Sequence, residues 1–194
     1  MLNEAVRKMK LKNLLDRAVA VNGNIENMKD QEKERYDMVI NFHNVLGFIN
    51  SPLKALKEMS RVLKKGGILV SVVPNKYHGV YFNISEGRLD AAEKIAKTCK
   101  GTFHKSMPDM CFFTPENMKK MYQKVDMKNI KSYGFPVALY PSFKETTIKE
   151  STKSLKDLLQ GKTLKTLKRI EEKLIINEEA SSRGNNLFII GIKK

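Results

Sequence analysis

The chain is 194 residues long, which is enough for one domain with a hydrophobic core. Its residues are 41% hydrophobic and 29% charged, a balance typical of soluble globular proteins rather than disordered ones. No apolar run reaches the ~18 residues that a membrane span requires. The first residues contain no apolar segment of the kind found in secretory signals. The composition therefore predicts a soluble protein of the cytoplasm with no membrane partner.

The charge is strongly positive. The formal net charge is +15 and the isoelectric point is near 9.7. A surplus of this size attracts nucleic acids and other anions. Because lysine is spread along most of the chain, a generally lysine-rich surface explains the same number equally well. Charge alone leaves both interpretations open.

The chain has two cysteines, Cys99 and Cys111, which are too few for a disulfide framework. Their spacing matches no metal-binding motif, so we predict no metal site. Cys111 lies in an apolar phrase and is predicted to belong to the core rather than to act as a nucleophile.

Five short apolar runs, rich in Val, Ile and Phe, indicate β-strands. They cover residues 18–22, 36–42, 67–73, 130–135 and 186–192. Several are continuously apolar, as expected for strands that are covered on both faces.

Helical patterns lie between these runs. Ser51 and Pro52 supply a cap and a proline at the first helical position, and Gly66-Gly67 is predicted to end that helix. Thr114 and Pro115 open another helix in the same way. Strands that alternate with helices predict an α/β fold with a mostly parallel sheet.

We predict one domain over residues 1–194 with two elaborations. The first is an insertion, or lid, at about residues 76–113. The second is a helical stretch at about residues 148–180, interrupted at Gly161.

Ligands of open α/β sheets bind beyond the carboxyl ends of the strands. Here polar residues follow three predicted strands, and they are Asn22-Gly23-Asn24, Asn41-Phe42-His43-Asn44 and Pro74-Asn75. Amide and imidazole groups gathered there could hold a small polar ligand. Asn and Gly are also common at strand ends because they tolerate bent backbone, so turn chemistry stays open as the alternative.

Three segments resemble class I S-adenosylmethionine-dependent methyltransferases. They read YDMVINFHNVLGFINSPLKALKEMSRVLKKGGILVSVVPN, FFTPENMKKMYQKVDMKNIKSYGF and NNLFIIGIKK. The first contains an acidic residue at the start of a strand (Asp37), a helix that begins near Ser51-Pro52, and the phrase RVLKKGG before the next strand. The resemblance implies a Rossmann-like sheet of the class I methyltransferase type and S-adenosylmethionine as the cofactor.

The resemblance also implies which residues hold the methyl donor. The family's loop after its third strand, which usually lies beside the adenine, corresponds to Asn24 and Ile25. The end of its fourth strand, which lines the donor's methionine portion, corresponds to Asn41, Phe42 and His43. A capped histidine with a purely structural role is the alternative for His43.

The family's first two strands have no counterpart here. The glycine-rich turn after the first strand, which approaches the donor closely, and the acidic residue that binds the ribose are both missing. Without the first strand, residues 37–42 would form an unpaired apolar edge. We therefore expect an upstream start that the chain lacks, a second copy or partner chain that completes the sheet, or a remnant.

The insertion contains the candidate acceptor residues Asn75, Tyr77, His78 and Asn83. Their order in NKYHGVYFNISEGRLD, and the phrase YGFPVALYPSF, resemble tRNA wobble-uridine carboxymethyl-type methyltransferases. In that group a carboxylate on a modified uridine is esterified, so tRNA is a possible acceptor. Tyr77, Tyr81 and Phe82 could stack a splayed base, or they could form the small core of the lid.

We predict methyl transfer by positioning, with no catalytic residue, because the donor is intrinsically reactive. Two alternatives remain at this point. One is a methyltransferase that acts on a small molecule, and the other is a non-catalytic or partner-dependent subunit.

Overall fold

The structure is a computed structural model that describes residues 2–104, 106–138 and 160–194. The helices of these segments are α1 (Leu2–Leu11), α2 (Val45–Phe48), α3 (Pro52–Val62), α4 (Lys76–Ser85), α5 (Leu89–Thr98), α6 (Pro115–Gln123), α7 (Gly161–Ile175) and α8 (Glu178–Ser181). The strands are β1 (Tyr36–Asn41), β2 (Leu63–Pro74), β3 (Lys100–Gly101), β4 (Met110–Cys111), β5 (Met127–Phe135) and β6 (Asn186–Lys193).

The main sheet has four strands in the order β1-β2-β6-β5. Strands β1 and β2 pair in parallel, whereas β6 runs antiparallel to both of its neighbours. Three of the four strands therefore point the same way, and the α/β prediction is confirmed. The antiparallel direction of the last strand was not foreseen.

The strand predicted at residues 18–22 is wrong, because the structure has no strand there. Val19 is 83% exposed and Val21 is 63% exposed. A β-strand needs a neighbour for its backbone hydrogen bonds, and among the described residues this segment has none. Local apolar character was therefore misleading.

Helix α3 begins at Pro52, as its sequence signals predict, and buries Leu56, Met59 and Val62. It ends at Val62 rather than at Gly66-Gly67, because Leu63 is already extended and fully buried as the first residue of β2. Helix α6 begins at Pro115, and the Thr114 side chain accepts a hydrogen bond from the Asn117 amide.

The main core lies between the sheet and the two helices α3 and α6. It contains Leu69, Val73, Leu187 and Ile189 from the strands, all fully buried. Tyr122 of α6 enters this layer, and its hydroxyl donates a hydrogen bond to Ser71 Oγ at 2.8 Å. Burial raises the pKa of the Tyr122 phenol well above its usual range.

The opposite face of the sheet is less well covered. Met38 and Ile40 of β1 are each about half exposed, at 49% and 48%. They lie in register with Ile68 and Val70 of β2, which are only partly buried. Among the strands that the structure describes, β1 pairs only with β2, so it forms an edge of the sheet.

The predicted insertion folds as α4, α5 and the short antiparallel pair β3–β4. It has a small core of its own, formed by Ile95, Met110 and Phe112 with Val80 and Phe103 against them. Cys111 is half-buried and packs against the main core instead.

The predicted helical stretch at residues 148–180 is described only from residue 160 onward, where α7 and α8 lie. The Glu171 carboxylate of α7 accepts hydrogen bonds from the amides of Val137 and Ala138, just after β5. This contact fixes the loop at the carboxyl end of β5. No helix in the described part of the chain is both long and apolar enough to cross a membrane.

Candidate functional site

The carboxyl ends of β1, β2 and β5 lie at one edge of the sheet, which we call the rim. Asn41 ends β1, Pro74 ends β2 and Phe135 ends β5. Because β6 is antiparallel, its first residue, Asn186, lies at the same edge and is paired with both Pro74 and Phe135. The rim is the place where an open α/β sheet binds its ligand.

Two buried polar atoms at the end of β1 are unsatisfied. Asn41 is 4% exposed, and neither its Nδ2 nor Oδ1 of Asn44 has a hydrogen-bond partner among the described residues. An unpaired buried polar group costs about 1–3 kcal/mol, so such groups are unusual unless a ligand or water completes them. The end of β1 therefore has the chemistry of a site that accepts polar groups.

The backbone also bends sharply here. His43 and Asn44 are both left-handed, with φ of 57° and 59°. Residues other than glycine rarely adopt this conformation, and strained backbone is found preferentially at functional sites. The bend turns the chain into α2 and leaves Phe42 50% exposed at the rim.

Asn186 adds a third buried atom without a partner among the described residues, its Oδ1. The sequence predicted site residues only at the carboxyl ends of strands. Asn186 was missed because it lies at the start of a strand that runs antiparallel to its neighbours. Asn44 lay within the polar phrase after β1, but nothing in the sequence separated it from an ordinary turn residue.

The loop at residues 24–31 is fastened to α3. Glu26 Oε1 accepts a hydrogen bond from the Ser51 amide at 2.8 Å, and Glu58 Oε2 accepts one from the Met28 amide at 2.8 Å. Arg61 donates to the carbonyls of Met28 and Gln31, at 2.7 and 2.9 Å. The loop is therefore held in a defined position beside the start of α3.

An ion pair strengthens this attachment. Arg61 Nε lies 2.9 Å from Glu58 Oε1, and the Arg61 guanidinium lowers the pKa of the Glu58 carboxyl. Arg61 is the arginine of the RVLKKGG phrase, so the structure gives this residue a local structural purpose.

Asn24 and Ile25 lie in the fastened loop. Asn24 is exposed, and its Oδ1 accepts a hydrogen bond from the Glu26 amide at 2.9 Å, which leaves its amide nitrogen available. Ile25 is half-buried against the main core. One side chain of the pair thus faces solvent and the other packs inward.

Asn75 and Asn83 are both fully buried and take part in the packing of the insertion. Asn75 Nδ2 donates to the carbonyls of Ser182 and Gly184, and its Oδ1 caps α4 through the Tyr77 amide. A direct contact between either asparagine and an acceptor would require the insertion to open.

Asn83 Nδ2 donates to the Gly79 and Thr102 carbonyls, at 2.8 and 3.2 Å. These bonds join α4 to the segment after β3. The side chain therefore stabilises the insertion internally.

His78 is 2% exposed and packs against Phe82 and Phe103. Burial lowers the pKa of its imidazole to about 4, so the ring is neutral at physiological pH. It too would reach an acceptor only if the insertion opened.

Tyr77 and Tyr81 are the exposed aromatic residues of α4, at 45% and 42%. Their spacing of four residues places them on the same side of the helix. Phe82 instead lies half-buried beside Phe103. Phe82 therefore packs with the core of the insertion through Phe103, as one interpretation of the sequence predicted. Tyr77 and Tyr81 remain exposed and could contact a ligand.

The described residues contain no group of three or more His, Cys, Asp and Glu side chains that could hold a metal ion.

Comparison with known proteins gives one sequence match. Residues 1–71 match a family described as a methyltransferase domain. No curated protein matches the chain.

Solved structures share the fold at low identity. A Thermotoga maritima protein described as a SAM-dependent methyltransferase, possibly a histamine N-methyltransferase, is 19% identical with a TM-score of 0.52, over 100% of this chain and 70% of that one. Phosphoethanolamine N-methyltransferase 2 of Haemonchus contortus, in complex with S-adenosyl-L-methionine, is 15% identical with a TM-score of 0.50. The match covers 100% of this chain and 41% of that one. The cyclase SpnF is 12% identical with a TM-score of 0.55, and the match covers 99% of this chain and 62% of that one.

The chain therefore has the fold of S-adenosylmethionine-dependent methyltransferases, which confirms the fold that the resemblance implied. The family match supports the resemblance itself within residues 1–71. It spans less than two thirds of the length of the latter two structures. Because a cyclase shares this fold, the fold alone does not identify the reaction.

Proposed function

We propose that the rim binds S-adenosylmethionine and that the protein transfers its methyl group to an acceptor held beside α4. The observation that carries the proposal is a pair of buried polar atoms, on Asn41 and Asn44, that have no hydrogen-bond partner in the described part of the chain. They lie at the strand end where this fold binds its ligand. The methyltransferase-domain match over residues 1–71 supports the same cofactor.

Residues of the loop at 24–31 and residues of the rim suit different parts of such a cofactor. Asn24 offers an exposed amide that can hydrogen-bond an adenine edge, and the adjoining Ile25 offers apolar surface. Asn41 offers an amide donor, unpaired within the described ranges, to a carboxylate or hydroxyl, with Phe42 and His43 at the rim beside it.

When bound, S-adenosylmethionine supplies an electrophilic methyl group. The work left to this chain is to bind and align the acceptor and to keep water away from it. An acceptor carboxylate needs no base, whereas a neutral amine or hydroxyl acceptor needs one. Positioning is therefore the mechanism that the rim supports best.

The exposed tyrosines favour a planar acceptor. Tyr77 and Tyr81 present two rings on α4, which begins directly after the rim end of β2. Aromatic side chains of this kind stack splayed bases, so a modified base of tRNA is the acceptor class that we propose. Asn75, His78 and Asn83 are proposed to position α4 from within the insertion.

Titration of the purified, folded chain with S-adenosylhomocysteine tests the cofactor assignment. We expect saturable binding with one site per chain. Absence of binding by a folded chain would overturn the proposal.

The acceptor class has its own test. Replacing Tyr77 and Tyr81 with alanine should weaken tRNA binding and leave cofactor binding unchanged. If the acceptor is a small molecule instead, tRNA binding should be insensitive to both tyrosines.

A partner-dependent subunit is the second candidate, and the edge strand β1 favours it. Within the described segments its backbone pairs only with β2, and Met38 and Ile40 are half exposed beside that edge. An unpaired edge with apolar side chains is a template for association. Sedimentation analysis distinguishes the cases, because a second copy or a partner chain that completes the sheet gives a heavier species.

The two free cysteines fit a reducing cytoplasm, which is the location that we propose. Residues 1–194 are proposed to act as one domain.

A further inference from the structure

A basic groove of about 500 Å³ lies at the end of the sheet opposite to the rim. Seven of its eleven lining residues are lysine or arginine, and two are acidic. Lys57 comes from α3, Lys65 from the first residues of β2 and Lys124 from the end of α6. Segments far apart in sequence thus bring like charges to one concave surface.

Three of the cations are already engaged, and they help to fix the walls of the groove. Lys33 Nζ lies 3.9 Å from Glu34 Oε1. Arg61 is paired with Glu58, as described above. Lys193 Nζ donates to the Leu63 carbonyl at 2.7 Å and lies 3.7 Å from Glu34 Oε1. The groove is therefore shaped before any ligand arrives.

Lys57, Lys65 and Lys124 are exposed and make no ion pair with the described residues. The two carboxylates of the lining, Glu34 and Asp126, do not balance its seven cations, and an anionic ligand relieves the remaining repulsion. The three free lysines are the groups that a polyanion would neutralise.

The lining also narrows the class of ligand. Val125 is the one residue with an apolar side chain among the described residues that line the groove, and it is only 3% exposed. No aromatic residue is among them, so the described part of the groove offers no ring on which a base could stack. A bilayer is flat at this scale, whereas the surface here is concave. Several cations without base-stacking groups match a chain of phosphates rather than a single nucleotide.

We infer that this basic groove binds the phosphodiester backbone of a nucleic-acid strand, without reading its sequence. The groove lies about 20 Å from the rim, the length of the six residues of β1. The inference concerns a binding surface and does not depend on the cofactor, so it can fail while the proposed function stands.

The test measures the binding of fluorescein-labelled oligouridine to the full chain by fluorescence anisotropy over a range of salt concentrations. The test variant replaces Lys57, Lys65 and Lys124 with glutamine. The control variant replaces the exposed lysines Lys162, Lys165 and Lys168 of α7 with glutamine, which changes the net charge equally. Thermal unfolding of all three proteins verifies that they are folded.

The groove variant should lower the salt dependence, d log K/d log[salt], by about 2 in magnitude, because each phosphate contact with a single strand contributes about 0.7. Near 0.1 M salt this corresponds to a roughly 100-fold loss of affinity. An oligodeoxythymidine of equal length should behave like the RNA, since both have the same backbone charge.

Equal losses in the groove and control variants would overturn the inference, because net charge would then account for the binding. Absence of binding by the unmodified chain at low salt would overturn it as well. Groove-dependent binding to phosphatidylserine vesicles, with no binding to oligouridine, would replace it with a membrane surface.

Discussion

Two neighbouring strands end in buried asparagines that differ in one respect. Asn75, at the end of β2, uses both ends of its amide in three hydrogen bonds. Asn41, at the end of β1, is nearly as buried, and its amide nitrogen has no partner among the described residues. Asn41 is the last residue of β1 and pairs with Ser71, whereas Asn75 directly follows β2 and caps α4. One asparagine therefore has a structural role, and the other has an amide that a ligand could use.

The largest effect is expected at Asn75. Replacing Asn75 with alanine leaves the Tyr77 amide and the carbonyls of Ser182 and Gly184 without their side-chain partner. We expect a loss of about 3 kcal/mol in the free energy of unfolding, measured by urea denaturation. A loss below about 0.5 kcal/mol would show that the asparagine does not hold the insertion to the sheet.

His78 predicts a pH dependence of stability. Its pKa is about 4 in the folded chain and 6.5 in the unfolded chain, so between these values the unfolded chain binds the proton more strongly. The free energy of unfolding is therefore highest above pH 6.5, where His78 is neutral in both states. It decreases as the pH falls to about 4, by up to about 3 kcal/mol. Denaturation at a series of pH values measures it, and the variant His78→Phe should lack this component. Equal pH profiles for the two proteins would contradict the assignment.

Asn83 should show an intermediate effect. Its amide nitrogen donates two hydrogen bonds within the insertion, whereas its Oδ1 has no partner among the described residues. Replacing Asn83 with alanine should cost about 1–2 kcal/mol and leave cofactor affinity unchanged. A variant of normal stability that fails to bind S-adenosylhomocysteine would place Asn83 in the cofactor site instead.

The smallest effect on stability is expected at Asn41. Because Nδ2 makes no hydrogen bond with the described residues, replacing Asn41 with alanine should change the free energy of unfolding by less than about 1 kcal/mol. Its effect should appear in ligand binding. A large loss of stability without any change in binding would reverse the distinction between the two strand ends.

The sequence predicted the elements whose signals are local. Ser51-Pro52 and Thr114-Pro115 place the starts of α3 and α6 correctly, because a proline at the first helical position acts within one turn of helix. Thr114 also caps α6 through its side chain, whereas the Ser51 side chain makes no cap hydrogen bond. The strand predicted at residues 18–22 failed because a strand depends on a neighbour that a local pattern does not reveal.

The candidate site was predictable only in part. The strand-end rule found Asn41 and Asn75 but could not separate them, since the partners of Asn75 lie more than 100 residues away at Ser182 and Gly184. Asn186 was missed because the direction of the last strand was not foreseen. The choice between bound and free amides is made by tertiary contacts.

The most direct test of the central claim compares two variants in calorimetric titrations with S-adenosylhomocysteine. Asn41→Ala should bind it at least about tenfold more weakly than the unmodified chain, the equivalent of one lost hydrogen bond. The variant Asn83→Ala, which replaces a similarly buried asparagine of the insertion, should bind S-adenosylhomocysteine as the unmodified chain does. Equal affinity of Asn41→Ala and the unmodified chain would contradict a cofactor site at the end of β1.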